Sequence, residues 1–129
     1  MPAREIEAVY HINSGGTGYD NRIELLLSSN GTVQADLSAV TRWVMYIGSV
    51  TVDSAVTAGA FTLVEDSQGR DVLTINLEGK FTEPDDGTGV YASLISYDAV
   101  NTDGVVWISK NQLTGKTRLK IRVVQEAAV

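Results

Sequence analysis

The residues available for catalysis are few and lie far apart. The chain has one histidine, His11, and no cysteine among 129 residues, which excludes thiol nucleophiles, disulfides and thiolate metal sites. A serine triad would have to use His11, which falls on the exposed side of a predicted strand, and no Gly-x-Ser-x-Gly turn lies near it. We interpret His11 as a surface residue. The sequence therefore predicts a non-enzymatic protein without a cofactor.

Two other patterns have only the composition of ligand sites. Residues 15–18, Gly-Gly-Thr-Gly, lack the Lys-Ser/Thr that a phosphate loop needs, so they indicate a flexible hinge. Several aspartates offer oxygen ligands for calcium, but their spacing is not that of a calcium loop. Since aspartate is common in turns, turn formation is the favoured interpretation. These aspartates are Asp66, Asp71, Asp85, Asp86, Asp98 and Asp103.

The strongest charge pattern lies in residues 117–123, where cations alternate with aliphatic residues. Side chains of a strand point to opposite faces in turn, so Leu119, Ile121 and Val123 share one face of a predicted strand. The cations share the other face, and the preceding lysine extends them. We call these four residues the basic row: Lys116, Arg118, Lys120 and Arg122. The row holds four of the ten Lys and Arg of a chain whose net charge is −6.

Three compatible interpretations of the basic row follow from its surroundings in sequence. The cations can protect an edge strand from aggregation. They can pair within the domain with Glu5 and Glu7, which lie on the exposed side of the first predicted strand. They can also contact residues 65–103 of another copy, a region that holds nine of the sixteen acids. We therefore predict that Glu5, Glu7 and the basic row are the residues through which the chain would contact a partner.

The bulk properties indicate one domain that binds neither membrane nor nucleic acid. A length of 129 residues suits a single domain. No segment approaches the roughly 20 apolar residues that span a bilayer, and no apolar run follows the N-terminus, so no secretory signal is expected. The net charge of −6 argues against broad phosphate binding.

The chain is predicted to form strands joined by turns, because β-branched residues are frequent and no amphipathic helix is evident. About eight strands predict an antiparallel, immunoglobulin-like β-sandwich, with a small β-barrel as the alternative. Residues 1–18 are predicted to be an N-terminal strand or arm with a Gly-rich hinge, and residues 19–129 the sandwich. The arm offers a second possibility, exchange with a neighbouring subunit. The predicted strands are residues 4–12, 22–27, 42–47, 50–52, 61–65, 72–77, 90–97, 105–108 and 117–123, with a short edge piece at 33–37.

The aromatic residues allow two interpretations. Trp107 and Tyr97 flank a predicted hairpin, where exposed rings would suit carbohydrate binding. Both lie in apolar strands, however, and large aromatic residues dominate core packing. Trp43 and Trp107 are therefore predicted to be core residues.

Three segments carry a family resemblance. Residues 36–47, Asp-Leu-Ser-Ala-Val-Thr-Arg-Trp-Val-Met-Tyr-Ile, resemble a segment of the N-terminal domains of bacteriophage tail-fibre and baseplate upper proteins. Residues 73–77 followed by 87–95, which begin Gly-Thr-Gly-Val-Tyr, resemble their "strand, polar loop, Gly-x-Tyr strand" segment. Residues 103–105, Asp-Gly-Val, match the hairpin after it. The resemblance covers residues 22–123.

The resemblance implies an immunoglobulin-like sandwich present in many copies in a particle, with no catalytic residues to carry over. In the fibre proteins a long fibrous or receptor-binding region follows this domain, whereas this sequence ends at Val129. We therefore expect a structural virion protein of the tail, baseplate or capsid surface, made in the host cytoplasm. Its expected partners are copies of itself and other virion proteins. The alternative function is a carbohydrate- or receptor-binding module.

Overall fold

The structure is a computed structural model that describes residues 5–12, 21–29, 32–33, 36–57, 59–77, 79–81, 83–110 and 118–125. These ranges form eleven strands and contain no helix. The strands are β1 (Glu5–Ile12), β2 (Arg22–Leu25), β3 (Ser28–Ser29), β4 (Thr32–Val33), β5 (Arg42–Ile47), β6 (Val50–Asp53), β7 (Phe61–Glu65), β8 (Asp71–Asn76), β9 (Val90–Tyr97), β10 (Val105–Ile108) and β11 (Arg118–Gln125).

The strands form two main sheets. The large sheet has the order β1-β11-β9-β5-β6, with β10 also paired to β9, and the small sheet has the order β2-β8-β7. Strands β3 and β4 form a separate short hairpin. The predicted all-β fold is confirmed: the arrangement is consistent with a β-sandwich and is not closed into a barrel.

One strand pair departs from the predicted antiparallel pattern. Strands β1 and β11 run parallel, from Glu5 beside Arg118 to Ile12 beside Gln125, and the large sheet is therefore mixed. Hairpin-linked strands must run antiparallel, but these two strands come from opposite ends of the chain and no tight turn sets their direction. Strand β1 lies within the large sheet of its own chain.

Strands β10 and β11 share one edge of β9. Ala92 of β9 lies between Ile47 of β5 and Leu119 of β11. Further along β9, Leu94 lies between Met45 of β5 and Ile108 of β10. The two late strands thus follow one another in the same direction along β9, opposite β5.

The core lies between the inner faces of the two sheets. The aliphatic residues opposite the basic row are fully buried, with Leu119 and Ile121 at 0% exposure, as predicted. Leu73 and Ile75 of β8 supply the facing side from the small sheet and belong to the same cluster. Both tryptophans are buried in this cluster, which confirms their predicted core position. Because one face of each sheet is apolar, the opposite face of the large sheet is left for polar and aromatic side chains.

Candidate protein-contact face

The sequence-predicted contact residues lie on the solvent side of the large sheet, which we call the outer face. Strand alternation places on this face the residues between those that enter the core. They are Glu5, Glu7 and Val9 of β1; Arg118, Lys120 and Arg122 of β11; Tyr91, Ser93, Ile95 and Tyr97 of β9; Val106 of β10; Arg42, Val44 and Tyr46 of β5; and Thr51 and Asp53 of β6. The face thus has a charged side at β1 and β11 and an aromatic, aliphatic side at β5 and β9.

Two cations of the basic row pair with one acid of β1, Glu7. Parallel pairing sets Glu7 directly beside Lys120. The Glu7 carboxylate lies 4.0 Å from Lys120 Nζ and 3.6 Å from Arg122 Nη1. The predicted intradomain pairing is therefore present for Glu7. Because these side chains remain partly exposed, each pair stabilises the fold by only about 0.2–1 kcal/mol.

Tyr91 joins the basic row to the second acid of β1. The Arg118 guanidinium lies 3.7 Å from the centroid of the Tyr91 ring, a cation–π contact. The Tyr91 hydroxyl donates a hydrogen bond of 3.0 Å to Glu5. The Nε atoms of Arg118 and Arg122 are buried with no acceptor among the described residues. Stacking on Tyr91 thus holds the guanidinium of Arg118, and the ion pair with Glu7 holds that of Arg122.

A loop from the acidic region lies against the same row. Gly89 has φ +80°, and a Cβ atom there would lie 2.8 Å from Cγ of Lys120, so only glycine permits this close approach. Asp85 accepts a hydrogen bond of 2.7 Å from the backbone N–H of Val123. That bond lowers the pKa of Asp85, so its carboxylate stays charged at neutral pH. Part of the acidic region therefore contacts β11 within the chain.

An ion pair holds the far end of the face. Arg42 donates two hydrogen bonds to Asp53, one of them 3.0 Å from Nε, and its guanidinium lies 5.3 Å from the Tyr97 ring centroid. The hydrogen bond from Arg42 lowers the pKa of Asp53 to about 2. The bidentate geometry fixes the orientation of Arg42 across the end of the sheet.

The centre of the outer face is apolar and partly open to solvent. Register sets Val44 beside Ile95, and Ile95 beside Val106. Val44 is 1% exposed although it lies outside the core cluster, whereas Val106 is 36% and Tyr46 42% exposed. The sequence of residues 42–47 predicts a strand but does not reveal this centre, because Val44 and Tyr46 are apolar or aromatic like the core residues beside them.

Four of the six aspartates considered as calcium ligands, Asp66, Asp85, Asp86 and Asp98, bond the backbone of their own turns. Asp66 accepts hydrogen bonds from Gln68 and Arg70, and Asp98 accepts them from Val100 and Asn101. Asp86 bonds Thr88, Asp85 bonds Gly87, and Asp71 bonds the backbone of Leu37. Such N–H bonds lower the pKa of Asp66 and Asp98, and hydrogen bonds from the hydroxyl and the N–H of Thr88 lower the pKa of Asp86. Within the described ranges, no three His, Cys, Asp or Glu residues are placed to hold a metal ion.

The remaining candidate residues have structural positions. Trp107 is 9% exposed and donates a hydrogen bond of 2.9 Å to Ser96, so its ring is not available for stacking on a sugar. The backbone of half-buried His11 pairs with the side chain of Asn21. Lys116 and the predicted hinge at residues 15–18 lie outside the described residues. The structure thus brings together Glu5, Glu7, Arg118, Lys120 and Arg122.

The comparisons with known proteins found no matching family model, no similar curated protein and no similar solved structure. The described ranges include no helix with the length and apolar character to cross a bilayer. The outer face is therefore the feature from which a function must be argued.

Proposed function

We propose that this chain is a non-enzymatic structural protein that binds copies of itself and neighbouring proteins through the outer face of its large sheet. The observation that carries the proposal is the composition of that face. Three of the five tyrosines of the chain, Tyr46, Tyr91 and Tyr97, lie on it together with Arg42, Arg118 and Arg122. Tyrosine and arginine are enriched in protein interfaces and at their energetic centres.

Charge supports a contact between copies. The strand residues of the outer face include four cations, Arg42, Arg118, Lys120 and Arg122, against three acids, Glu5, Glu7 and Asp53. The whole chain carries −6, so the acidic excess lies elsewhere on the molecule. A slightly positive face and an acidic remainder favour a head-to-tail contact, which forms rings or open arrays.

The assignment to a phage particle, as a tail, baseplate or capsid-surface component, is supported by the sequence resemblance of residues 22–123. The alternative of a carbohydrate-binding module receives less support, because Trp107 is buried. Peptide mass spectrometry of purified phage particles from the source host tests the virion assignment, and absence of the chain from such particles would contradict it.

The mass of the full chain in solution, measured by analytical ultracentrifugation at low and high salt, tests the contact surface. We expect multimers that dissociate as salt is raised, because charge attraction is screened. Tyr46→Glu should weaken association at least tenfold. The matched control is Val100→Glu, which introduces the same charge at a turn residue that is 88% exposed. A native chain that stays monomeric at every concentration, or a Tyr46→Glu variant that assembles normally, contradicts the proposal.

A further inference from the structure

Strand β1 has one edge paired with β11 and a second edge, called here the open edge, with which no strand of the described ranges pairs. The hydrogen bonds show which residues face each edge. The side chain of Asn21 pairs with both the N–H and the C=O of His11, each at 3.0 Å, as a neighbouring strand would. The backbone groups of His11 therefore point away from β11. Since successive residues of a strand direct these groups to opposite edges, those of Glu5, Glu7 and Val9 point the same way.

The hydrogen bonds on the far edge of β11 lead independently to the same assignment of which residues face which edge. The C=O of Val123 accepts a hydrogen bond from the backbone N–H of Asp85, and its N–H donates one to the Asp85 carboxylate. Both bonds lie on the edge of β11 that β9 occupies earlier along the strand. Lys120 therefore faces β1, where it sits beside Glu7 and bonds the flanking residues Ile6 and Ala8. Glu7 and Val9 are left with outward N–H and C=O groups that pair with no described residue.

This edge carries only one of the devices that protect natural edge strands, the charged residues Glu5 and Glu7, which oppose an acidic partner and not a cationic one. Strand β1 has eight residues, whereas β6 at the opposite edge of the sheet has four. Its ladder with β11 runs without a register shift, and its sequence, Glu-Ile-Glu-Ala-Val-Tyr-His-Ile, contains no proline or lysine. Short length, bulges, lysine and proline are the usual devices against unwanted pairing. A long, regular edge without them is a template for another strand.

An apolar cleft lies beside the open edge, between β1 and the small-sheet strand β2. Its volume is about 280 Å³, and core-facing residues from both strands line it, among them Ile6, Ala8, Ile23 and Leu25. A strand added to β1 would direct alternate side chains toward this cleft and the others toward the outer face. The side chains that point into the cleft must be aliphatic, because core residues line it.

We propose that the open edge of β1 binds an extended segment of a partner protein in which aliphatic residues alternate with lysine or arginine. The charges of the cleft favour this composition: its lining holds two acids, Glu7 of β1 and exposed Glu24 of β2, against one cation, Arg22. Glu5 adds a third acid at the start of β1. Strand β11, which pairs with the other edge of β1, already has this alternating composition. Its aliphatic residues enter the core while its cations meet Glu7.

A second copy of β1 is a poor occupant of the same edge. In a two-fold antiparallel pairing that leaves Asn21 on His11, only Glu5, Glu7 and Val9 have free groups. Each such register sets an acid against an acid, either Glu7 against Glu7 or Glu5 against an acid of the other copy. Like charges directly across a sheet are destabilising.

The test titrates a peptide with the sequence Thr-Arg-Leu-Lys-Ile-Arg-Val into the isotope-labelled full chain and follows the backbone amides by NMR. We expect shifts and slowed hydrogen exchange at Glu7 and Val9. A control peptide with glutamate at the three cationic positions should bind at least tenfold more weakly. Changes centred on Ala92 and Leu119 would mean that the peptide displaces β11, and no binding would mean that the edge is closed. Either result overturns the proposal.

Two proline variants make a matched pair. Val9→Pro removes an outward N–H, which an edge strand tolerates, so the melting temperature should stay within a few degrees while peptide affinity falls at least tenfold. Ala8→Pro removes an N–H bonded to β11 and should lower the melting temperature clearly. A Val9→Pro chain that is folded and binds normally overturns the proposal. Should Val9→Pro unfold, Val9→Lys, which blocks the edge by charge repulsion of the cationic peptide, gives the same readout. Tyr46→Glu should leave peptide binding unchanged. That result would distinguish binding at the β1 edge from the contact between copies that is proposed to involve Tyr46.

Discussion

Met45 and Tyr46 are neighbours in β5, yet they belong to two differently built surfaces. Met45 is fully buried among the aliphatic residues of the core, whereas Tyr46 is 42% exposed beside the apolar centre of the outer face. The inner face is held by burial, which acts on every residue there. The outer face is held by ion pairs, ring contacts and one glycine, each of small energy. The stability of the fold therefore depends mainly on the inner face, and residues of the outer face can be changed at a smaller cost in stability.

Truncation on the two faces should have very different effects. Met45→Ala leaves a cavity in a packed core and should lower the free energy of unfolding by about 2–5 kcal/mol. Tyr46→Ala, one residue later, should change it by less than about 1 kcal/mol, because the side chain is largely in water. Denaturant unfolding of both variants measures the contrast. Equal losses would mean that the outer face is a second core, buried in an assembly.

A smaller effect is expected where the basic row meets the loop at Gly89. Gly87 and Gly89 both have positive φ, but a Cβ at Gly87 meets nothing within 4 Å, while one at Gly89 meets Lys120. Gly87→Ala should cost about 1–2 kcal/mol through backbone strain alone. Gly89→Ala should cost about 1 kcal/mol or more beyond that, because the stems of the row must move. Thermal or denaturant unfolding of the pair isolates the contact, and equal costs would show that the row yields freely.

The smallest effect concerns acid pH and the pair at the far end of the face. The pKa of Asp53 is about 2 in the folded chain, below its ordinary value of 3.8. A depressed folded-state pKa means that the carboxylate stabilises the fold above its ordinary pKa and loses that effect as pH falls through about 2. Asp53→Asn should therefore destabilise the chain at pH 5, and the difference from native should shrink between pH 4 and pH 2. A pH-independent difference would contradict this reading of Arg42 and Asp53.

The sequence predicted much of the fold because its signals are local. The alternation in residues 118–123 identified which side of the last strand enters the core, and the Asp- and Gly-rich segments marked the turns correctly. The parallel direction of β1 and the place of β10 and β11 on one edge of β9 were not predictable, because strand pairing between distant segments leaves no local pattern. Tyr46 was missed for a similar reason: its exposure depends on which side of the sheet the rest of the chain covers.

By itself, the sequence determined the strand class, the inner face of the last strand, the charged residues available for pairing, and the lack of thiol chemistry. These properties depend on residue type and on the two-residue period of a strand. Only the tertiary structure decided that Glu7 lies beside Lys120, that Arg118 stacks on Tyr91, and that no described strand pairs with the second edge of β1. Such contacts join residues far apart in the chain, and their geometry is set by the packing of two sheets around one core. The alternation that drew attention to the basic row therefore defines the residues, while the fold defines their partners.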